Sequence, residues 1–400
     1  MKNNQTAHQQ LLLSTVAFGI AFAVWGSIGG AAPLIKKTMG LTPFKTAILV
    51  SIPIILGSLG RIPIGLFTDR WGTRLLMTII LTFSGICALA IAFLNPNYSA
   101  LLFLASLLGI SGTAFVVGIA HISEWFPKER QGSVLGLFGM GNIGQSIAVF
   151  GIPYLAFLSS WRVGFIFLGA LSLIGAAVYW TKAKEFSEVA DPSKSLRKIF
   201  QVFSDSPMAW ILSVYYSLTF GGFVAMAVYL PTLFRAQFLI TPQEGGIRTA
   251  IFVILATLMR PLGGFLSDQW NAARILFFVF CSMAVSSIFL MSSRLEIFSL
   301  GLIAFAIAAG LGNGIVFKLV PYYFPKNSGA VTGLVGAAGG MGGFFPPLVM
   351  GASLQYFGNY ALGWMGLLIF CGICLIILWN TATSRQKEPA RLLVKEGVAG

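Results

Sequence analysis

The chain has 400 residues, of which 56% are hydrophobic and 10% charged, and its net charge is +14. Soluble globules carry about 25% charged residues, so these proportions exclude one and make the bilayer the solvent. The surplus cations form no basic stripe interleaved with aromatics, which argues against a nucleic-acid partner, and no cluster of nucleophile, base and acid points to an enzyme.

The first ten residues are polar. From Leu11 an apolar run continues without a small-residue cleavage site, which predicts a retained first helix rather than a signal peptide. Apolar segments then fall at 11–34, 45–68, 75–94, 99–122, 131–157 and 162–181, and again at 207–231, 246–267, 275–293, 297–320, 329–352 and 359–380. They predict an all-α membrane protein of twelve transmembrane helices, with one six-helix bundle in residues 1–181 and a second in 207–380. The charged stretch 182–206, with Pro192, reads as a linker, and a polar tail starts at Thr381. Twelve spans put both termini on one side. That side, which also holds the linker, collects Lys2, Arg70, Arg74, Lys128, Arg130, Lys182, Lys184, Lys194, Arg197, Lys198, Arg274, Lys326, Arg385, Lys387, Arg391 and Lys395. The opposite side has Lys36, Lys37, Lys45, Arg162, Arg235, Arg248 and Arg294. Lys and Arg concentrate in cytoplasmic loops, so both termini are expected in the cytoplasm of a plasma (bacterial inner) membrane. Cys87, Cys281, Cys371 and Cys374 all lie in apolar segments with no His, acid or further Cys beside the Cys371–Cys374 pair, so no metal or cofactor is expected.

Segment 2 holds one guanidinium, Arg61. At about 1.5 Å per residue it lies about 12 Å inside the polar boundary at Asp69, close to the bilayer midplane. An arginine there costs about 2.5 to 3.5 kcal/mol and keeps its proton, so it must face protein or a water-filled cavity. The pattern returns 199 positions later, where Arg260, Gly264, Asp268 and Trp270 repeat Arg61, Gly65, Asp69 and Trp71, and Phe126-Pro127-Lys128 recurs as Phe324-Pro325-Lys326. An internal repeat with one midplane cation per half predicts a transporter whose site lies between the halves. No carboxylate falls at mid-membrane, which leaves an anionic ligand as the partner of the two arginines.

Gly65-Leu66-Phe67-Thr68-Asp69-Arg70-Trp71-Gly72-Thr73-Arg74 resembles the helix 2–3 loop signature of the major facilitator superfamily. Gly112-Thr113-Ala114-Phe115, Phe126-Pro127-Lys128 and Gly139-Met140-Gly141-Asn142-Ile143-Gly144 stand in the order seen in the nitrate/nitrite porters of that superfamily, and Gly336-Ala337-Ala338-Gly339-Gly340-Met341-Gly342-Gly343 is the counterpart in segment 11. The resemblance implies the superfamily fold of two pseudo-symmetric six-helix bundles. It also implies substrate-binding roles for Arg61 and Arg260, with Phe115 from segment 4, Tyr216 and Phe220 from segment 7, and the signature residue Asn142. Gly141, Gly144, Gly339, Gly342 and Gly343 are signature positions where small residues permit close or sliding helix contacts. Gly65, Asp69, Arg70 and Arg74 would form a loop latch. Segment 11 departs from the pattern of those members that carry a second asparagine there.

Nitrate is a planar monoanion with three acceptor oxygens, suited to two guanidinium forks at its edges and aromatic rings on its faces. The implied function is secondary transport of nitrate and nitrite, by exchange or by proton symport, with another small anion such as cyanate or a short carboxylate as the alternative cargo. Symport needs a titratable group on the pathway, for which His121, Lys318 and Glu124 are the candidates. The expected partners are the anions and the lipid bilayer, and the chain is expected to work as a monomer.

Overall fold

The structure, a computed structural model, describes residues 4–126, 128–185, 206–324 and 328–396. Twelve helices are long and apolar enough to cross a membrane: α1 Gln5–Met39, α2 Pro43–Thr68, α3 Thr73–Phe93, α4 Tyr98–Trp125, α5 Val134–Leu158, α6 Trp161–Lys182, α7 Pro207–Phe238, α8 Pro242–Gln269, α9 Ala272–Leu290, α10 Leu295–Tyr323, α11 Val331–Phe357 and α12 Ala361–Thr381. There is no strand among the described residues. Each predicted segment lies on one of these helices. Most of the 182–206 linker lies outside the described residues, as do Pro127, Pro325 and Lys326 of the repeated loop motif.

Short connections work because side chains end the helices cleanly. Thr42, Asn97, Ser160 and Thr241 each accept a backbone N–H at the start of α2, α4, α6 and α8, with proline in the first turn of α2 and α8. At the other ends the helices exceed the apolar segments. α1 is helical back to Asn4, because Gln10 is buried and its amide is used: Nε2 donates to the Lys182 carbonyl at 3.2 Å and Oε1 accepts from the Lys184 N–H at 3.1 Å. The last helix runs past the apolar span to Glu396.

Each half packs within itself through α1–α5, α3–α6 and α8–α10, among others, and the halves meet along α1–α7, α2–α11 and α5–α8. Glycine permits the closest crossings. A Cβ on Gly144 of α5 would overlap the Gly19 carbonyl of α1, and one on Gly314 of α10 would overlap the Arg260 carbonyl of α8. On the side away from the termini, called the far side here, the halves are in tight contact. A Cβ on Gly29 of α1 would stand 2.8 Å from the Val228 backbone of α7, and the Phe44 N–H at the start of α2 donates to Gln355 Oε1 of α11 at 3.3 Å.

Four helices lose α-geometry at mid-span. α2 is interrupted at Gly60, between Pro43–Leu59 and Arg61–Trp71, where the Pro63 ring is incompatible with a regular turn onto the Leu59 carbonyl. α4 tightens to 3-10 geometry over Gly109–Thr113, α5 does so over Gly139–Ile143, and α11 breaks between Gly342 and Phe345. Irregular backbone at this depth is tolerated where it is buried in protein or lines a cavity, and these interruptions surround one place.

Candidate functional site

Arg61 opens the second half of α2, directly after the Gly60 interruption, and is fully buried. Its Nε donates to the carbonyls of Gly57 (3.1 Å) and Gly112 (3.3 Å), and its Nη1 donates to the Gly336 carbonyl of α11 at 2.6 Å. The first two bonds stay within the N-terminal half and the third crosses to the other. Nη2 is buried with no protein partner, so one arm of the fork is unspent. Arg260 is 8% exposed in the continuous α8. Its Nη2 donates to the Tyr216 hydroxyl at 3.0 Å, its one side-chain hydrogen bond among the described residues.

The rings between these cations belong to both halves. The Arg61 Cζ is 5.4 Å from the Phe115 centroid and 5.5 Å from that of Phe220; for Arg260 the distances are 5.8 and 5.7 Å. Cations over ring faces at this range gain about 0.5 to 2 kcal/mol each, more where water is excluded. Tyr216 and Phe220, one turn apart on α7, stack at 4.9 Å with planes 3° apart. A further ring, Phe317 of α10, touches Phe115 (5.6 Å), Tyr216 (4.8 Å) and Arg260 (5.4 Å). Nothing in the sequence marks Phe317 apart from its place beside Lys318.

The structure thus brings Arg61, Arg260, Phe115, Tyr216 and Phe220 together where four helices are irregular. Two desolvated guanidiniums repel each other strongly in a low-dielectric space, and a monoanion between them relieves that repulsion.

The sequence model of the Major Facilitator Superfamily matches residues 14–238 and 230–397. Among solved structures, a bacterial homolog of the human lysosomal transporter Spinster, inward-facing and unoccupied, superposes with a TM-score of 0.70 at 18% identity, over 94% of this chain and 96% of that one. That likeness concerns the fold alone. The chain is 34% identical over 388 residues to the nitrite extrusion protein of Bacillus subtilis (strain 168), covering 95% of this chain and 96% of the relative. It is 32% identical over 422 residues to the probable nitrate/nitrite antiporter NarK1 of Thermus thermophilus, covering 93% and 90%. The chain belongs to the nitrate/nitrite porter family of the major facilitator superfamily.

The remaining expected residues of this porter sit around that centre or away from it. Asn142 is 1% exposed; its Nδ2 donates to the Gly139 carbonyl at 2.7 Å, while its Oδ1 has no protein partner. Gly139 itself is next to Arg260, with a built Cβ 3.7 Å from Nε. Gly339 makes room for the Tyr216 ring, Gly141 for the Phe18 ring, Gly342 for the Ser217 backbone, and Gly343 for the Val224 side chain.

His121 lies outside the ring cluster, buried in the N-terminal half. Its Nδ1 bonds with Thr73 Oγ1 at 2.7 Å and its Nε2 with Gln10 Oε1 at 3.2 Å. The Gln10 oxygen can only accept, so Nε2 carries the proton and Nδ1 accepts from Thr73, which satisfies a neutral ring on both nitrogens. Lys318 forms an ion pair with Asp268, the repeat counterpart of Asp69. Around the latch, Gly65 faces Val116 and Arg70 is exposed, while the Asp69 side chain lies outside the described residues. Arg74 stacks on Trp180 at 4.3 Å. Sequence reasoning missed Glu185: its carboxylate accepts from the Arg74 N–H at 3.2 Å at the start of α3, reaching it beside Gly72, whose φ of 85° and missing side chain leave the way open.

Proposed function

We propose that this porter carries nitrate and nitrite across the plasma membrane by alternating access, exchanging one anion for the other. The observation that carries the reading is the sharing of Phe115 and Phe220 by two buried guanidiniums, one from each half, with Nη2 of Arg61 still lacking an acceptor. In this mechanism the two forks grip oxygen–oxygen edges of the planar anion, the rings cover its faces, and Tyr216 holds Arg260 in orientation. Asn142 trims the site from α5. The names of the relatives support nitrate and nitrite over cyanate or a short carboxylate.

Without cargo, two positive charges oppose closure of the halves around the site. With one anion the net charge of the centre falls from +2 to +1, so occupancy favours the closed state and permits the rocking that carries the anion across. Exchange is favoured over proton symport because two of the three candidate proton carriers are engaged elsewhere, His121 with Thr73 and Gln10 and Lys318 with Asp268. Both termini are cytoplasmic on this reading, which the Lys and Arg bias supports, and one chain contains the whole site, so the monomer suffices.

The test is counterflow in proteoliposomes, with labelled nitrite outside and nitrate or buffer inside, with and without a pH gradient. Uptake should require internal nitrate or nitrite and ignore the gradient. Uptake into empty vesicles driven by the gradient would establish symport instead, and cyanate or formate outcompeting nitrite would replace the cargo.

A further inference from the structure

Away from the arginine pair, on the far side, a cavity of about 730 Å³ lies where the end of α1, the end of α7 and the start of α8 meet. It stands above the place where the seam is shut by Gly29 against the Val228 backbone. Lys36, Lys37 and Arg235 line it, with Thr232, Thr241 and Gln243, and no Asp or Glu among the described residues does. The nearest acid in sequence, Glu244, is spent on Arg248 at 2.7 Å. Lysines in the last turn of a helix are common for a plain reason, since they complement the helix dipole and extend into water. One feature goes beyond that reading.

Arg235 is not loose. Its Nη1 donates to the carbonyls of Leu239 and Ile240, at 3.1 and 3.3 Å, across the left-handed turn that ends α7. This anchors the guanidinium at the cavity wall while no bond among the described residues uses Nη2. Three cations, one of them held in place, and no carboxylate describe a site for a small oxyanion.

We propose that this cavity is a second anion site, an antechamber that holds a small monovalent oxyanion such as nitrate or nitrite at the far mouth of the passage. Because it spans α1 and α7, it sits across the seam that must part for the anion to reach Arg61 and Arg260. Its role in loading rests on the transport reading above; its binding of an anion does not. A field of one sign in a walled cleft concentrates counter-ions, and its effect falls as salt rises.

Binding is tested in purified, detergent-solubilised protein carrying Arg61→Ala, so that the central clamp is disabled. Gln243→Cys, or Ala236→Cys should the first fail to fold, is reacted with a methanethiosulfonate reagent, with gluconate balancing ionic strength and the parent protein as the blank for the four native cysteines. Nitrate should slow modification about fivefold once it exceeds its Kd a few times over, and Lys36→Gln with Lys37→Gln should abolish that protection. No protection, or protection that survives the lysine changes, overturns the site. In proteoliposomes the same double lysine change should raise the far-side KM about threefold to tenfold at low salt with kcat unchanged, and the difference should shrink as salt rises. An unchanged far-side KM, or an equal change on both faces, overturns the loading role. If the wild type moves no nitrate while the thiol is still protected, the transport reading falls and the site stands.

Discussion

Arg61 and Arg260 are related by the repeat but do not do the same work. Arg61 is tied by backbone carbonyls of α2, α4 and α11 and offers one remaining arm; Arg260 is oriented by a single phenol. Replacing either by alanine should cost about 2 to 5 kcal/mol of anion binding, a loss of at least about 30-fold. Lysine should fare little better. An ammonium holds one oxygen rather than an edge, cannot reach three carbonyls and a ligand from position 61, and can lose its proton beside another cation. Transport by Arg61→Lys and Arg260→Lys, measured over a concentration series at about pH 6 and about pH 8, should be severely impaired at both; wild-type affinity would show that long-range charge alone matters. Tyr216→Phe keeps the ring stack and removes only the hydroxyl on Arg260, so KM should rise about tenfold to a hundredfold with kcat little changed, the value of one hydrogen bond to a charged group at about 1.5 to 3 kcal/mol. His121 has both nitrogens satisfied as a neutral ring. His121→Gln should therefore leave the response of exchange to a pH gradient as in the wild type, and a change in that response would assign the coupled proton to His121.

Among the helices, irregularity and close packing divide the labour. α2, α4, α5 and α11 bend or tighten where the arginines stand, while α7, α8 and α10 run through and supply Tyr216, Phe220, Arg260 and Phe317 from regular turns. The signature glycines stand where a neighbouring backbone or ring would meet a side chain. Gly144→Ala forces α5 away from the α1 backbone at Gly19, and a backbone cannot step aside as a side chain can. It should lower the melting temperature by several degrees or abolish the folded yield, at a cost of about 1 to 3 kcal/mol. Gly151→Ala, in the same helix but with open space around its missing Cβ, should be neutral. Size-exclusion profiles and thermal melts of the two in one detergent make the comparison, and equal behaviour would show that the crossing at Gly19 is not the constraint.

At the scale of the molecule, alternating access requires the far-side seam to open. Gly29 on Val228, Gly351 on Ala47 and the Phe44 N–H on Gln355 help to hold it, contacts of backbone and small groups with no ion pair across it among the described residues. Phe44→Cys with Gln355→Cys, joined by a short thiol cross-linker, should stop exchange, and a reducible linker should restore it on reduction. Exchange persisting in the cross-linked protein would mean that α2 and α11 stay together throughout the cycle.

Spans, repeat and the two cations were legible in the sequence because each is a matter of composition or spacing. Hydrocarbon excludes charge, so twelve long apolar runs can only be helices across it, and an arginine in the middle of two of them stands out. Phe115, Tyr216 and Phe220 were legible through the resemblance to the porter family, since as isolated aromatics they are indistinguishable from helix filler. Only the tertiary structure decided what Arg61 holds. Gly57 is one turn away, but Gly112 and Gly336 lie 51 and 275 positions off, and every residue has a carbonyl, so nothing in their identity announces the bond. The same reason hides Phe317, one apolar residue among many until α10 turns it onto Arg260, and Glu185, whose role exists only because Gly72 leaves the start of α3 open. Gln10 is the converse case: its polarity sets it outside the apolar segment, yet burial against α4 and α6 supplies the hydrogen bonds that water would otherwise have provided, and the helix starts earlier for it.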